Sequence, residues 1–251
     1  MLYLDYPSKV LCVLTGNGTL ALGYLSSSGC AWTSHNLGDG VKISSMSATY
    51  DEGNQYLYLA TTRKILGRDK QFIELITFDA LRGLYMENVA APIYLDLYSH
   101  KAMVDNVIGD LDLFNGESMS VLSYDGTYLG DFKVVNGSIT VEGNAYANGE
   151  VRVGYCFASA YQTPNLEKSD TTAGEVKIDK VELSFYRTSH VDVLGSANTI
   201  QRNILAKEVS GYQNISLNIN GNWEANSSLM LQQSLPFAMN IVAINLSILS
   251  K

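Results

Sequence analysis

Five stretches of the chain alternate apolar and polar residues with a period of two: VLCVLT (10–15), QYLYLATT (55–62), QFIELITF (71–78), VRVGYCF (151–157) and VELSFYRT (181–188). A period of two sends successive side chains to opposite faces of a strand, so one face can be buried while the other stays wet. Between these stretches stand Asn17-Gly18, Asp125-Gly126, Asn136-Gly137 and Asn220-Gly221. Each is the signal of a two-residue hairpin turn, where both central residues take positive φ. The nearest helical stretch, FDALRGLYMENV (78–89), has Gly83 inside it and only a short apolar stripe. Sixteen tyrosines, 21 glycines and only four prolines suit many short strands. The expected fold class is all-β.

Three segments are expected. Over residues 1–90 the strand pairs VLCVLT/LALGYL, CAWTSH/VKISSM and QYLYLATT/QFIELITF predict meandering, propeller-like blades. Residues 91–162 read as a second meander, a small β-barrel or sandwich. The polar loop TPNLEKSDTTAGE (163–175) opens a C-terminal β-sandwich region, 163–251, packing on the preceding domain. That region closes on LPFAMNIVAINLSIL, apolar enough for a strand buried on both faces or at an interface.

A net charge of −8 argues against tight nucleic-acid binding, which needs a basic face, but not against loose passage of DNA. The N-terminus has no basic region followed by an apolar run, so no signal peptide is expected. No apolar run reaches the about 20 residues of a spanning helix. Cys12, Cys30 and Cys156 are odd in number and far apart, and are expected to stay reduced in a cytoplasm. The sequons at Asn17, Asn136, Asn214, Asn226 and Asn245 then read as strand and turn residues.

GDLDLFNGESMSVLSYDG (109–126) carries Asp110, Asp112, Glu117 and Asp125 and invites a calcium reading. An EF-hand loop needs oxygen ligands at positions 1, 3 and 5, Gly at 6 and Glu at 12. Counting from Asp110 puts Asp112 at 3, but Phe114 at 5, Asn115 at 6 and Val121 at 12, so the frame fails after two ligands. The glycines instead mark turns joining three strands, with the acids at their solvated ends. No pair among the 25 acids stands out for glycoside hydrolysis. His35, His100 and His190 show no zinc spacing, and no G-x-S-x-G elbow occurs. No cofactor, metal or catalytic residue is expected.

One basic cluster remains: Arg63, Lys64, Arg68 and Lys70 in TRKILGRDK, at a hairpin tip of an acidic chain. It reads as a solvated turn that discourages edge pairing, or as a contact with an acidic partner at a subunit interface.

The order of these pieces resembles the C-terminal region of the tail nozzle proteins of short-tailed phages, also called tail tubular protein B. The resemblance runs through TGNGTLALGYLSSSGCAWTSHNLGDGVKISSMSA, YLYLATTRKILGRDKQFIELITF, APIYLDLYS with GDLDLFNGESMSVLSYDG, VRVGYCFASAYQTP and SLPFAMNIVAINLSI. Phe114 departs from it, standing where the family often has histidine. Family chains are usually longer, which implies a fragment or a reduced branch. The resemblance implies no enzyme. It implies a homo-oligomeric ring, usually a hexamer, in the virion tail and assembled in the host cytoplasm. That ring continues the DNA ejection channel and contacts adaptor, fibre or spike proteins. The alternatives are a carbohydrate-binding β module of a surface adhesin and a glycoside hydrolase.

Overall fold

The computed structural model describes the chain apart from residues 6–8, 28, 36, 39, 52–53, 77–93, 143–146, 165–174, 187, 189, 196–201, 206–210, 220–221, 225–226, 238 and 251. The FDALRGLYMENV stretch, Asn220-Gly221 and the expected boundary at residue 90 lie outside the described residues. Those that are described form antiparallel sheets and one short 3-10 turn, so the chain is all-β. Among them no helix is long and apolar enough to cross a membrane. They divide into two compact units, Met1–Cys156 and Phe157–Lys251.

In the first unit β1 (Leu2–Leu4), β2 (Val10–Leu14), β3 (Leu20–Ser26) and β4 (Gly29–His35) form a meander in chain order. A second sheet runs β5 (Lys42–Asp51), β6 (Asn54–Ile65), β7 (Arg68–Ile76). The alternation in QYLYLATT sets the phase: Leu57 and Leu59 are buried, Tyr58 is exposed. Those two leucines and Ile43 join Leu4, Val10, Cys12, Leu20 and Leu22 of the first sheet in one core. Each such side chain contributes about 1.5–3 kcal/mol of burial. Two of the expected pairs form, VLCVLT with LALGYL and QYLYLATT with QFIELITF. CAWTSH and VKISSM do not pair: β4 stays on β3, and β5 aligns with β6 from Lys42↔Thr62 to Asp51↔Asn54. The long β6 offers β5 more ladder bonds than the short, exposed β4 could.

The third sheet contains β8 (Asp96–Val104), β9 (Val107–Ile108), β10 (Ser118–Ser123), β11 (Tyr128–Lys133), β12 (Ile139–Thr140) and β13 (Gly149–Tyr155). Its order, β11-β10-β13-β8-β9-β12, nearly closes into a barrel around Met103, Ile108, Met119, Val121, Val151 and Val153. Of the three strands expected to be joined by glycine turns, the third does not pair with β11. Asn136-Gly137 joins only Val135 to Ser138, and β12 crosses to β9 through Ile139↔Ile108.

The turn chemistry is also more varied than the dipeptides suggest. Asn136 (φ 51) and Gly137 (φ 72) make the expected two-residue turn, as do Leu66 (φ 49) with Gly67 (φ 72) and Asp105 (φ 49) with Asn106 (φ 63). At Asn17-Gly18 and Asp125-Gly126 only the glycine has positive φ. There the loop has three residues, closed by Thr15 N–H to Thr19 O at 2.9 Å and by Ser123 N–H to Thr127 O at 2.9 Å. The Asn17 and Asp125 side chains accept from the Thr19 and Thr127 amides, which favours this form over the tighter one.

In the second unit, β14 (Ser159–Gln162), β16 (His190–Gly195), β17 (Arg202–Leu205) and β19 (Leu229–Gln233) form a sheet of order β14-β19-β16-β17. The other sheet is β18 (Tyr212–Asn218), β15 (Val176–Tyr186) and β20 (Ile241–Ser250), with β15 central. Val181, Leu183 and Phe185 meet Val191, Val193 and Leu231 in one core. The buried phase of β15 shifts from Val176 and Ile178 to Val181, Leu183 and Phe185, because the register slips between Ile178 and Lys180. The closing apolar strand is not buried on both faces. β20 is an edge strand, and Val242, Ile248 and Leu249 are exposed.

Candidate functional site

The most developed polar cluster of the first unit grows from one of the four basic residues of TRKILGRDK. Arg63 is in phase with Leu57, Leu59, Thr61 and Ile65 on β6, all buried, so the pleat carries it inward. It is 5% exposed and sits at the centre of an ion network, not at the hairpin tip where the cluster reading placed it. Its Nε and Nη2 donate to the two Glu74 oxygens at 2.7 and 2.6 Å, a bidentate fork. Nη2 also reaches Asp96 Oδ2 at 2.9 Å, and Nη1 donates to Leu37 O at 2.8 Å. The Thr61 hydroxyl donates to Glu74 Oε1, and Leu97 N–H to Asp96 Oδ1 at 3.1 Å.

All four carboxylate oxygens therefore accept a hydrogen bond, and the arginine ties β7, β8 and the loop before β5 to β6. Burial raises the Asp96 carboxyl above its ordinary value, against the lowering pull of Arg63. Burial works against the charge on Arg63, but the bond to Glu74 and the charges of Asp96 and Glu74 raise its pKa on balance. Nearby, burial and the charge of Glu117 push the Tyr155 phenol up to about 12, and its buried hydroxyl has no hydrogen-bond partner. Carboxylates held on a guanidinium in this way fasten sheets together; they do not present the free acid and base of a hydrolase.

The other three basic residues stay outside that network. Lys64 and Arg68 are exposed and Lys70 is half-buried, and none forms an ion pair among the described residues. The tip between them has an acidic neighbour within its own chain, since Glu117 Oε1 accepts from Leu66 N–H at 2.8 Å.

That glutamate belongs to the acidic stretch 109–126, whose members all have structural tasks. Asp112 opens the 3-10 turn Asp112–Phe114 and lies against Gly137, where an added Cβ would collide with the Asp112 carboxylate. Leu111 N–H donates to Gly137 O at 2.9 Å, docking this loop on the Asn136-Gly137 turn. Asp110 offers its carbonyl to Lys101 Nζ at 3.0 Å, and Asp125 closes its own turn. Among the described residues no three His, Cys, Asp or Glu side chains are grouped to hold a metal ion.

The histidines lie in different sheets: His35 on β4, His100 on β8 and His190 on β16. The three cysteines are free thiols, and burial pushes Cys12 up to about 11. The partners of Arg63 were not found from the sequence, although one signal was present. Glu74 interrupts the apolar run of QFIELITF, as Arg63 interrupts the inward phase of β6.

No protein-family model matches the chain, and no curated protein matches it. Two solved structures similar to it are of exo-β-1,3-galactanase from Phanerochaete chrysosporium. One, with galactose, is 9% identical with a TM-score of 0.23, over 92% of this chain and 75% of that one. The other, a variant with β-1,3-galactotriose, is 11% identical with a TM-score of 0.21, over 98% of this chain and 67% of that one. Likeness this faint bears on neither the architecture nor the chemistry of this chain.

Proposed function

We propose that this chain is a non-catalytic structural subunit of a phage tail, assembling with copies of itself into a nozzle ring that continues the DNA channel and carries adaptor, fibre or spike proteins. The structural observation that supports this is β20. Its ten residues, Ile241–Ser250, contain no charge, and it lies at a sheet edge with Val242, Ile248 and Leu249 exposed. Soluble monomers often protect such edges with lysine or proline, and β20 has neither, although its register slips at Val242. A ring subunit covers the edge with its neighbour, and a heterologous contact of this kind closes into a ring when the rotation allows. The net charge of −8 suits a wall along which DNA slides without sticking. Lys64, Arg68 and Lys70 are then contacts for an acidic neighbour; Arg63, being buried, is not.

Native mass spectrometry and negative-stain microscopy of the purified chain test this reading. Rings are expected, and the pair Val242→Lys with Ile248→Lys is expected to leave folded monomers. A chain that stays monomeric at all concentrations and shows no affinity for tail proteins or virions overturns the proposal.

A further inference from the structure

The outer face of the six-stranded sheet carries a cation for which the described residues supply no ion-pair partner. Arg152 lies on β13, in register with Leu122 of β10 and His100 of β8. Its neighbours Val151 and Val153 fill the barrel core, so Arg152 faces the other way. It is nevertheless only 4% exposed, and its Nε is buried without a hydrogen-bond partner. Among the described residues no carboxylate is ion-paired with it. Its close companion is the Tyr124 ring, whose centroid lies 5.2 Å from Cζ. Tyr124 is 56% exposed. Across β13, His100 is exposed too, its ring edge-on to Tyr98 at 5.7 Å.

A guanidinium withdrawn from water costs several kcal/mol unless an anion or a set of acceptors replaces its hydration. The face of a tyrosine returns only about 0.5–2 kcal/mol of that. A carboxylate docking on the fork supplies the rest, as Glu74 does for Arg63 within the chain. The exposed rings narrow the choice of ligand. Tyr124 stands in the turn after β10 and His100 on β8, so exposed aromatic rings flank Arg152 from either side of β13 and offer apolar faces to one ring-shaped ligand. A polyanion is disfavoured by the net charge of −8, whereas one carboxylate on an apolar-faced ring is not.

We propose that Arg152, Tyr124 and His100 form a binding site for a carboxylate-bearing saccharide, with the arginine taking the carboxylate and the two rings flanking the sugar. The site lies within one unit and does not depend on ring assembly.

Calorimetric titration of the full chain with the methyl glycoside of galacturonate, which carries one carboxylate, tests this, beside its methyl ester and N-acetylglutamate amide. The free acid is expected to bind, and the ester at least about tenfold more weakly. Arg152→Gln should weaken the acid by about tenfold or more, from the loss of a charge-assisted fork. Absence of binding, equal binding of the ester, or N-acetylglutamate amide binding as tightly as the uronoside overturns the proposal. If Arg152→Gln does not fold, the wall variants Tyr124→Ala and His100→Ala decide, and unchanged affinity in both also overturns it.

Discussion

Arg63 and Arg152 lie in the same unit, on central strands of neighbouring sheets, and are buried to almost the same degree, at 5% and 4% exposed. Their surroundings are opposite. Arg63 meets two carboxylates and a carbonyl. Arg152 meets the face of Tyr124 and leaves its Nε without a partner. Burial alone therefore does not say what an arginine is for. A satisfied buried cation is a fastener, and an unsatisfied one is an affinity awaiting a partner.

The comparison breaks most sharply if the two arginines are removed. Arg63→Ala leaves Glu74 and Asp96 buried without their cation and should cost about 3–5 kcal/mol in urea denaturation, the range for breaking a buried pair from one side. Arg152→Leu leaves no orphaned carboxylate and keeps an apolar stem over Leu122. It should be neutral or stabilising by up to about 1 kcal/mol in the same assay. A loss of several kcal/mol there would mean that Arg152 has a fastening role in the fold, and the contrast would fail.

The difference between the two arginines was only half legible in the sequence. Period two in QYLYLATTRKI places Leu57 and Leu59 inward and, carried on, Arg63 as well. Grouping Arg63 with Lys64, Arg68 and Lys70 by proximity hid that phase. In VRVGYCF the same rule sends Arg152 outward, which is right, yet it says nothing of the Tyr124 ring that folds over it. Class and strand positions follow from local alternation, and so were readable. Which neighbour a strand pairs with was not: grouping CAWTSH with VKISSM overlooked that β6 follows β5 after only two residues and pairs with it along its whole length. The apolar ending shows the same limit, since composition cannot tell a central strand from the edge position of β20. The three turn dipeptides among the described residues marked places correctly and forms only sometimes, because the side-chain acceptors of Asn17 and Asp125 favour three-residue loops.

The smallest expected effect sharpens the fastener side of the comparison. Arg63 serves two carboxylates with one charge, and burial holds the Asp96 carboxyl above its ordinary value despite that cation. The folded state thus binds this proton more tightly than the unfolded state. The group's contribution to stability is fully present below the unfolded pKa of about 3.9 and is lost as pH rises through the folded value. Asp96→Asn removes that dependence while keeping a side-chain oxygen for Arg63. Between about pH 3.5 and about pH 7 the variant should therefore lose less stability than the parent, read from denaturation midpoints across the window. The opposite slope would show that the attraction of Arg63 outweighs burial at Asp96, making the second carboxylate as firmly charged as a one-to-one pair.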